Sequence, residues 1–231
     1  MKNNLTEKDI KTINKWAEKY GIKELKINDE KNFNLKQLCI FNTNIKYIPA
    51  AIFKLTNLKN LSIYCNNLNR LPKEIGNLIK LKELDIISRC LIELPKEIGN
   101  LSNIKKLSIY CENLKQLPKE IGNLINLKEL SIYCKNLKSL TNEIEKLTNL
   151  ESIHIECENL KQLPKEIHNL IKLKRFDIDC PNSENFPDGI AKLINLETIY
   201  IRNCNGKLNL QYLIGGIVKL NNLKSLYLDI E

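Results

Sequence analysis

The sequence predicts an α/β solenoid, built of short parallel strands stacked side by side, joined by short helical turns and closed at the N-terminus by a helix. Three observations predict it. The first is a fixed period: Leu61, Leu84, Leu107, Leu130, Ile153, Phe176 and Ile199 each stand 23 residues from the next, Leu38 extends the column one step back, and Leu226 resumes it after a step of 27. Self-similarity at such a period marks a repeat architecture. The second is the content of one repeat, L-x-x-L-x-I-x-C-x-N-L-x-x-L-P-x-x-I-x-x. Its L-x-x-L-x-I part alternates with period two, as a strand does, while L-P-x-x-I-x-x-L has the spacing of a 3₁₀ or short α-helical turn. The third is an amphipathic segment ahead of the first repeat, as a solenoid needs a cap over its first rung.

That segment, residues 5–20, opens at Thr6 as N-cap, with Asp9 three residues on as a capping-box partner. Ile10, Ile13, Ala17 and Tyr20 keep helical spacing, Trp16 borders their face, and Gly21 suits the C-terminal stop. The expected division is a cap over residues 1–24 and a solenoid of about nine repeats over 25–231, with Leu25 and Ile27 pointing inward in an irregular first rung. The first full repeat, 35–57, carries Leu35, Leu38, Ile40, Asn44, Ile45, Ile48, Pro49 and Ile52. Pro72, Pro95, Pro118, Pro164 and Pro187 stand where later turns begin, their φ preset for it, and Thr141 replaces proline once. An asparagine column (Asn44, Asn67, Asn113, Asn136, Asn159, Asn182, Asn205) is expected to turn inward at the strand ends and bond free backbone groups of neighbouring turns. Cys90 takes that place in one rung. The phase breaks at 203–219, where Gly206, Gly215 and Gly216 signal altered turns. The last strand, residues 223–228, is expected to be covered by a second copy, by further chain or by the insertion folded back as a lid.

Composition narrows the function classes. The 231 residues are 43% hydrophobic, enough for a continuous core, and no run approaches the roughly 18 apolar residues of a membrane helix. Lys2, Asn3 and Asn4 follow Met1 with no apolar signal core, so a cytoplasmic location is expected. The charge of +9 is diluted around the repeat, because Lys73, Lys96, Lys119 and Lys165 are each followed by Glu. Nucleic acid is therefore disfavoured as a partner, and no membrane partner is expected. Eight cysteines would suggest disulfides in a small secreted chain. Here Cys65, Cys111, Cys134, Cys157 and Cys180 fill one column, with Ser88 between the first two. Parallel side chains about 5 Å apart suit a bridge poorly, so the column reads as small buried hydrophobes. Cys39, Cys90 and Cys204 lie off it and are expected to be more exposed. No C-x-x-C pair occurs, and no metal or other cofactor is expected.

The repeat resembles the leucine-rich repeat, and segments such as Leu71–Leu78, L-P-K-E-I-G-N-L, resemble its 23-residue intracellular class, found in bacteria and in Ras-suppressor-like proteins. The pattern covers nearly the whole chain. The asparagine directly precedes the next leucine rather than standing two residues before it, and a cysteine lies two residues earlier, which could lengthen the strand by one inward residue. The resemblance implies a horseshoe with parallel strands on its concave face, short turns on its convex face, and a protein ligand bound in the concavity.

Strand parity points two columns away from the core on that face. One holds Ser62, Asp85, Ser108, Ser131, His154, Asp177 and Tyr200; the other holds Phe41, Tyr64, Ile87, Tyr110, Tyr133, Glu156, Asp179 and Arg202. Phe41, Tyr64, Ile87, Tyr110 and Tyr133 would form an aromatic and apolar ladder, and tyrosine is enriched at binding hot spots. Cross-strand packing that lends only stability is the alternative. His154, Glu156, Glu158, Asp177 and Asp179, with Arg175 and Arg202 at the margin, form an acidic patch that would meet a basic partner. The two histidines are His154 and His168, the latter in a convex place held elsewhere by Gly76, Gly99 and Gly122. No nucleophile elbow, phosphate loop or zinc-protease motif occurs, so an enzyme is not expected. The expected function is a non-catalytic protein-binding module. Self-association through the last rung and weak electrostatic binding to anionic surfaces are the alternatives.

Overall fold

The structure is a computed structural model and describes residues 5–25, 27, 34–183, 188–202 and 215–229. Pro187, Cys204, Asn205, Gly206, the first four residues and positions 203–214 of the expected phase break lie outside the described residues.

Among the described residues nine strands form one parallel sheet in chain order: β1 Gln37–Phe41, β2 Asn60–Tyr64, β3 Glu83–Ile87, β4 Lys106–Tyr110, β5 Glu129–Tyr133, β6 Ser152–Glu156, β7 Arg175–Asp179, β8 Thr198–Arg202 and β9 Ser225–Asp229. Register advances by 23 residues from Leu38↔Leu61 to Phe176↔Ile199, then by 27 at Ile199↔Leu226. Alternate strand residues face the core: Leu84, Ile86, Leu107, Ile109, Phe176 and Ile178 are all 0% exposed. Each such side chain contributes roughly 1.5–3 kcal/mol by leaving water.

The convex side is a row of 3₁₀ turns, among them Lys73–Asn77, Lys96–Asn100, Lys119–Asn123 and Lys165–Asn169. Each follows a proline with φ near −62°, buries its central isoleucine, and stops at a leucine whose N–H donates to that isoleucine's carbonyl. Thr141, lacking the proline ring, instead accepts a hydrogen bond from the Glu143 N–H at 3.3 Å.

Glycine lets these turns approach closely. A methyl group added to Gly76 would stand 2.6 Å from the Glu97 carbonyl oxygen, and one on Gly122 would stand 2.5 Å from that of Glu143, each in the next turn. His168 occupies the same column, half-buried, its Nδ1 2.7 Å from the Lys165 carbonyl. The next turn makes room for it: Gly189 stands where the others carry glutamate, and a methyl group there would lie 2.6 Å from His168 Cβ. Gly189→Glu is therefore expected to cost about 1–3 kcal/mol in urea unfolding, as overpacking does. Adding His168→Gly should restore most of that loss.

The N-terminal helix α1, Glu7–Tyr20, has the expected start and stop. Thr6 Oγ1 accepts from the Asp9 N–H at 3.2 Å, the Thr6 N–H donates to Asp9 Oδ2 at 2.8 Å, and Gly21 ends the helix at φ 69°. Trp16 does more than border the packed face. It is 4% exposed and its Nε1–H donates to the Tyr47 carbonyl at 3.1 Å. Asn14 clamps Ile27 from both sides, accepting from its N–H at 2.7 Å and donating to its carbonyl at 3.1 Å. Lys54 Nζ reaches Asp9 Oδ2 at 2.7 Å, and this contact, then the bond from Thr6, holds the Asp9 carboxyl at about 2 against an ordinary 3.8. A depressed carboxylate stabilises the fold above its unfolded pKa, and that contribution is lost as pH falls through the folded value. Melting curves of the wild type and Asp9→Asn should thus differ at neutral pH and converge between about pH 4 and pH 2. A gap that persists at pH 2 would contradict the ion-pair account.

Two features of the strand ends depart from one another. The cysteine column turns inward as a buried layer: Cys65, Cys111, Cys134, Cys157 and Cys180 are 0% exposed, unbridged, and Ser88 is 1% exposed. Cys65, Ser88, Cys111, Cys134 and Cys157 extend the ladder past the strand, as where the Cys65 N–H donates to the Ile87 carbonyl at 2.9 Å. Burial pushes the thiols up, Cys65 to about 11 and Cys111 and Cys134 to about 12. Cys39 is exposed and Cys90 half-buried. The asparagine column, by contrast, does not turn inward. Asn44, Asn67, Asn113 and Asn182 are exposed, and Asn136 and Asn159 half-buried. With cysteine filling the inner place, the amides lie on the rim and donate back one rung, Asn67 to the Thr43 carbonyl at 2.7 Å and Asn113 to that of Arg89 at 2.7 Å. In the first rung Asn42 takes the cysteine's place and donates to the Tyr20 carbonyl at 3.1 Å, tying α1 to the sheet.

Candidate functional site

The second concave column lies on the floor of an open groove of about 910 Å³. Ile87, Tyr110, Tyr133, Glu156 and Asp179 line it in order along five successive strands, while Asn66, Arg89, Glu112, Lys135, Glu158 and Pro181 form its wall. The wall residues follow the strands by two positions, and alternate in charge: Arg89 pairs with Glu112 at 3.0 Å and Lys135 with Glu158 at 3.0 Å. Of these wall residues the expected acidic patch included Glu158 alone; the signal that could have found the others is the same 23-residue period.

The tyrosines on the floor form a stack. The rings of Tyr110 and Tyr133 lie 4.0 Å apart and 9° from parallel. His154 continues the pile at 4.6 Å from Tyr133. Burial, and then hydrogen bonding to Tyr110, push the Tyr133 hydroxyl well above its ordinary pKa. Rings packed this tightly on rigid strands lose little freedom when a ligand covers them. Phe41 and Tyr64 meet edge to face at 6.3 Å, with Phe41 73% exposed, and Ile87 separates them from the tyrosine pair. The expected ladder is therefore two aromatic pairs with an isoleucine between.

The expected acidic patch is a different object. Asp177 is 5% exposed and satisfied on three sides, by His154 Nδ1 at 2.9 Å, Arg175 Nη2 at 3.1 Å and Arg202 Nη2 at 3.0 Å. It is an internal hub for cations rather than an exposed acid, because the long arginines and the ring of His154 close over the inner curve. Ser108, in the same column between Asp85 and Ser131, is 4% exposed. Arg175 also lies over the Tyr200 ring at 4.8 Å, and Tyr200 packs on Tyr227 at 6.1 Å. Glu156 remains on the groove floor, 54% exposed at its side chain, 4.0 Å from His154 Nε2.

Ser131, His154 and Asp177 are neighbours along one column, the order of a nucleophile, base and acid. Asp177 meets His154 at Nδ1, as the acid of such a trio would, while Nε2 makes no hydrogen bond to Ser131 among the described residues. Among the described residues no three His, Cys, Asp or Glu side chains converge as metal ligands would.

The family profile described as a leucine-rich repeat region matches residues 17–139 and 117–231. The chain belongs to the leucine-rich repeat family. No curated protein matches the sequence. Solved structures do. A leucine-rich repeat protein of Leptospira interrogans is 29% identical over 90% of this chain and 59% of its own, with a TM-score of 0.63. The leucine-rich repeat domain of the type III effector XopL is 21% identical over 96% of this chain and 90% of its own, with a TM-score of 0.67. The plant peptide hormone receptor RGFR1, in complex with RGF2, is 22% identical over 87% of this chain and 40% of its own, with a TM-score of 0.50. This chain thus spans 59% of the length of the Leptospira protein. The leucine-rich repeat fold is commonly a protein-interaction module.

Proposed function

We propose that the chain is a non-catalytic protein-binding module whose ligand lies in the concave groove over Tyr110 and Tyr133. The observation that carries this reading is the parallel tyrosine pair at 4.0 Å on the floor of a groove of about 910 Å³. Rigid aromatic area with hydroxyls at its edge suits a binding centre. The charged wall pairs, Arg89–Glu112 and Lys135–Glu158, are already partnered, so they frame the site and set orientation more than affinity. Glu156, next to Tyr133 on the floor, favours a ligand with a basic group beside an apolar one. The complex of the plant receptor RGFR1 with RGF2 supports the plausibility of a peptide occupant on this fold. The test uses peptides selected from a displayed library on the immobilised chain. Covalent footprinting should then protect Tyr110, Tyr133 and Lys135 when a selected peptide is added. Protection confined to the convex turns sinks the placement.

A second reading rests on β9. Leu226 and Tyr227 are 46% and 49% exposed, where the matching Ile199 is 0% exposed. Apolar strand edges favour association, and a second copy of the chain would cover these two side chains. Light scattering over a concentration series should then give a dimer that Leu226→Lys with Leu228→Lys converts to a folded monomer. A wild-type monomer throughout dismisses this reading.

A further inference from the structure

A row of lysines lies on the edge of the solenoid where the strands begin. Lys36, Lys59, Lys82, Lys105 and Lys128 each directly precede a strand. Their backbones prolong the sheet: the N–H of Lys59 donates to the Lys36 carbonyl at 2.7 Å, Lys82 to Lys59 at 2.7 Å, Lys105 to Lys82 at 2.7 Å and Lys128 to Lys105 at 2.8 Å. The side chains are thereby set at the sheet's pitch, about 4.8 Å. Further along, the same row reads Glu151, Lys174, Glu197 and Lys224, and its charges cancel. Glu151 pairs with Lys128 at 2.8 Å and Lys174 at 3.1 Å, which holds its carboxyl at about 2, and Glu197 pairs with Lys224 at 2.6 Å. From Lys36 to Lys105 the row itself holds no acid. Among the described residues Lys36, Lys59, Lys82 and Lys105 make no ion pair; in the adjacent column Glu129 is paired with Lys106 at 3.5 Å, and Glu83, which accepts from the neutral Asn60 at 2.6 Å, leaves one carboxylate beside these four lysines. Like charges at this pitch repel, on a scaffold that alternates signs elsewhere. The same rim carries Ile79 and Ile125, 52% and 56% exposed, three residues ahead of Lys82 and Lys128.

We propose that this edge docks the chain on an anionic phospholipid bilayer. Charge complementarity selects an anionic partner, and three further features select the bilayer. Side chains on one face of an extended acidic peptide recur about every 6.8 Å, out of step with a row at about 4.8 Å, whereas lipids rearrange under any spacing. No aromatic ring stands in this row on which a nucleic-acid base would stack. Exposed isoleucine beside lysine suits the boundary between headgroups and acyl chains. The contact is peripheral. No helix among the described residues is long and apolar enough to cross a membrane, and the expectation of no membrane partner, drawn from the lack of such a segment, does not bear on an edge-on contact. The proposal is independent of the concave groove, so the chain can rest on a bilayer with that groove open.

Co-sedimentation with phosphatidylcholine vesicles, with and without phosphatidylserine, tests it at about 0.1 M salt. The wild type is expected to bind only the phosphatidylserine vesicles and to be released by high salt. A lysine near an anionic surface is worth about fivefold in partitioning. Lys36→Gln, Lys59→Gln, Lys82→Gln and Lys105→Gln together should lower binding at least about a hundredfold. The control Lys73→Gln, Lys96→Gln, Lys119→Gln and Lys165→Gln loses the same charge from the convex turns and should bind like the wild type. If the quadruple edge variant melts early, Lys59→Gln with Lys82→Gln should still lose about 25-fold. Absence of wild-type binding, equal losses in edge and control variants, or edge-dependent binding to single-stranded DNA in place of vesicles overturns the proposal.

Discussion

Phe176→Ala is expected to destabilise the chain by about 3–5 kcal/mol, the upper range for truncating one core side chain. The ring is 0% exposed and fills the column that leucine or isoleucine fills in neighbouring rungs. Alanine would leave a void between rigid strands that cannot move together, since Ile153 and Ile199 are held in register on either side. In a solenoid the damage is local to one rung and its two interfaces. Urea unfolding should therefore change shape as well as midpoint, with β7–β9 lost before β1–β5. Phe41→Ala supplies the contrast. That ring is 73% exposed and its removal should change stability by about 0.5 kcal/mol or less. Equal effects at the two sites would contradict the assignment of inner and outer columns.

Replacing Tyr110 and Tyr133 together with alanine is expected to weaken a groove ligand by about 2–4 kcal/mol, or roughly 30- to 1,000-fold. The two rings share one stacked contact, so the single substitutions are not independent. Each alone should remove more than half of the double effect, because the remaining ring loses the neighbour that holds its face toward the ligand. The core should survive: Tyr110 is 36% exposed, and neither ring belongs to the buried cluster. Stability is expected to fall by about 1 kcal/mol, the worth of a stacked cross-strand pair. That difference between binding and folding separates a ligand site from a ladder that only stiffens the sheet.

Much of the architecture was legible because the period is strict. Leu61 to Ile199 at steps of 23 residues dictates parallel register, and the Thr6 and Gly21 caps follow from local chemistry alone. The inward cysteine was half legible: parity allowed it, but only the structure shows that Cys65 takes the inner place and sends the asparagine amides to the rim. A second asparagine ladder was readable by the same period and missed. Asn103, Asn126 and Asn149 each donate to a carbonyl 24 residues back, those of Ile79, Ser102 and Ile125, at 2.8 to 2.9 Å. The concave face was the least legible part. Parity separates inner from outer residues but says nothing of side-chain reach. The closure of Arg175, Arg202 and His154 on Asp177 depends on long side chains crossing between strands, and so does the pairing of Arg89 with Glu112 and of Lys135 with Glu158 along the groove wall.

The central claim, that the tyrosine pair anchors a ligand in the concave groove, is tested most directly by calorimetric titration. A peptide selected on the wild-type chain would be titrated into the wild type, into Tyr110→Ala/Tyr133→Ala, and into a convex control such as Lys96→Gln/Lys119→Gln. The account predicts affinity lowered at least about 30-fold in the tyrosine variant, unchanged affinity in the control, and melting curves close to wild type in both. Equal affinity in wild type and tyrosine variant, with both folded, would contradict it.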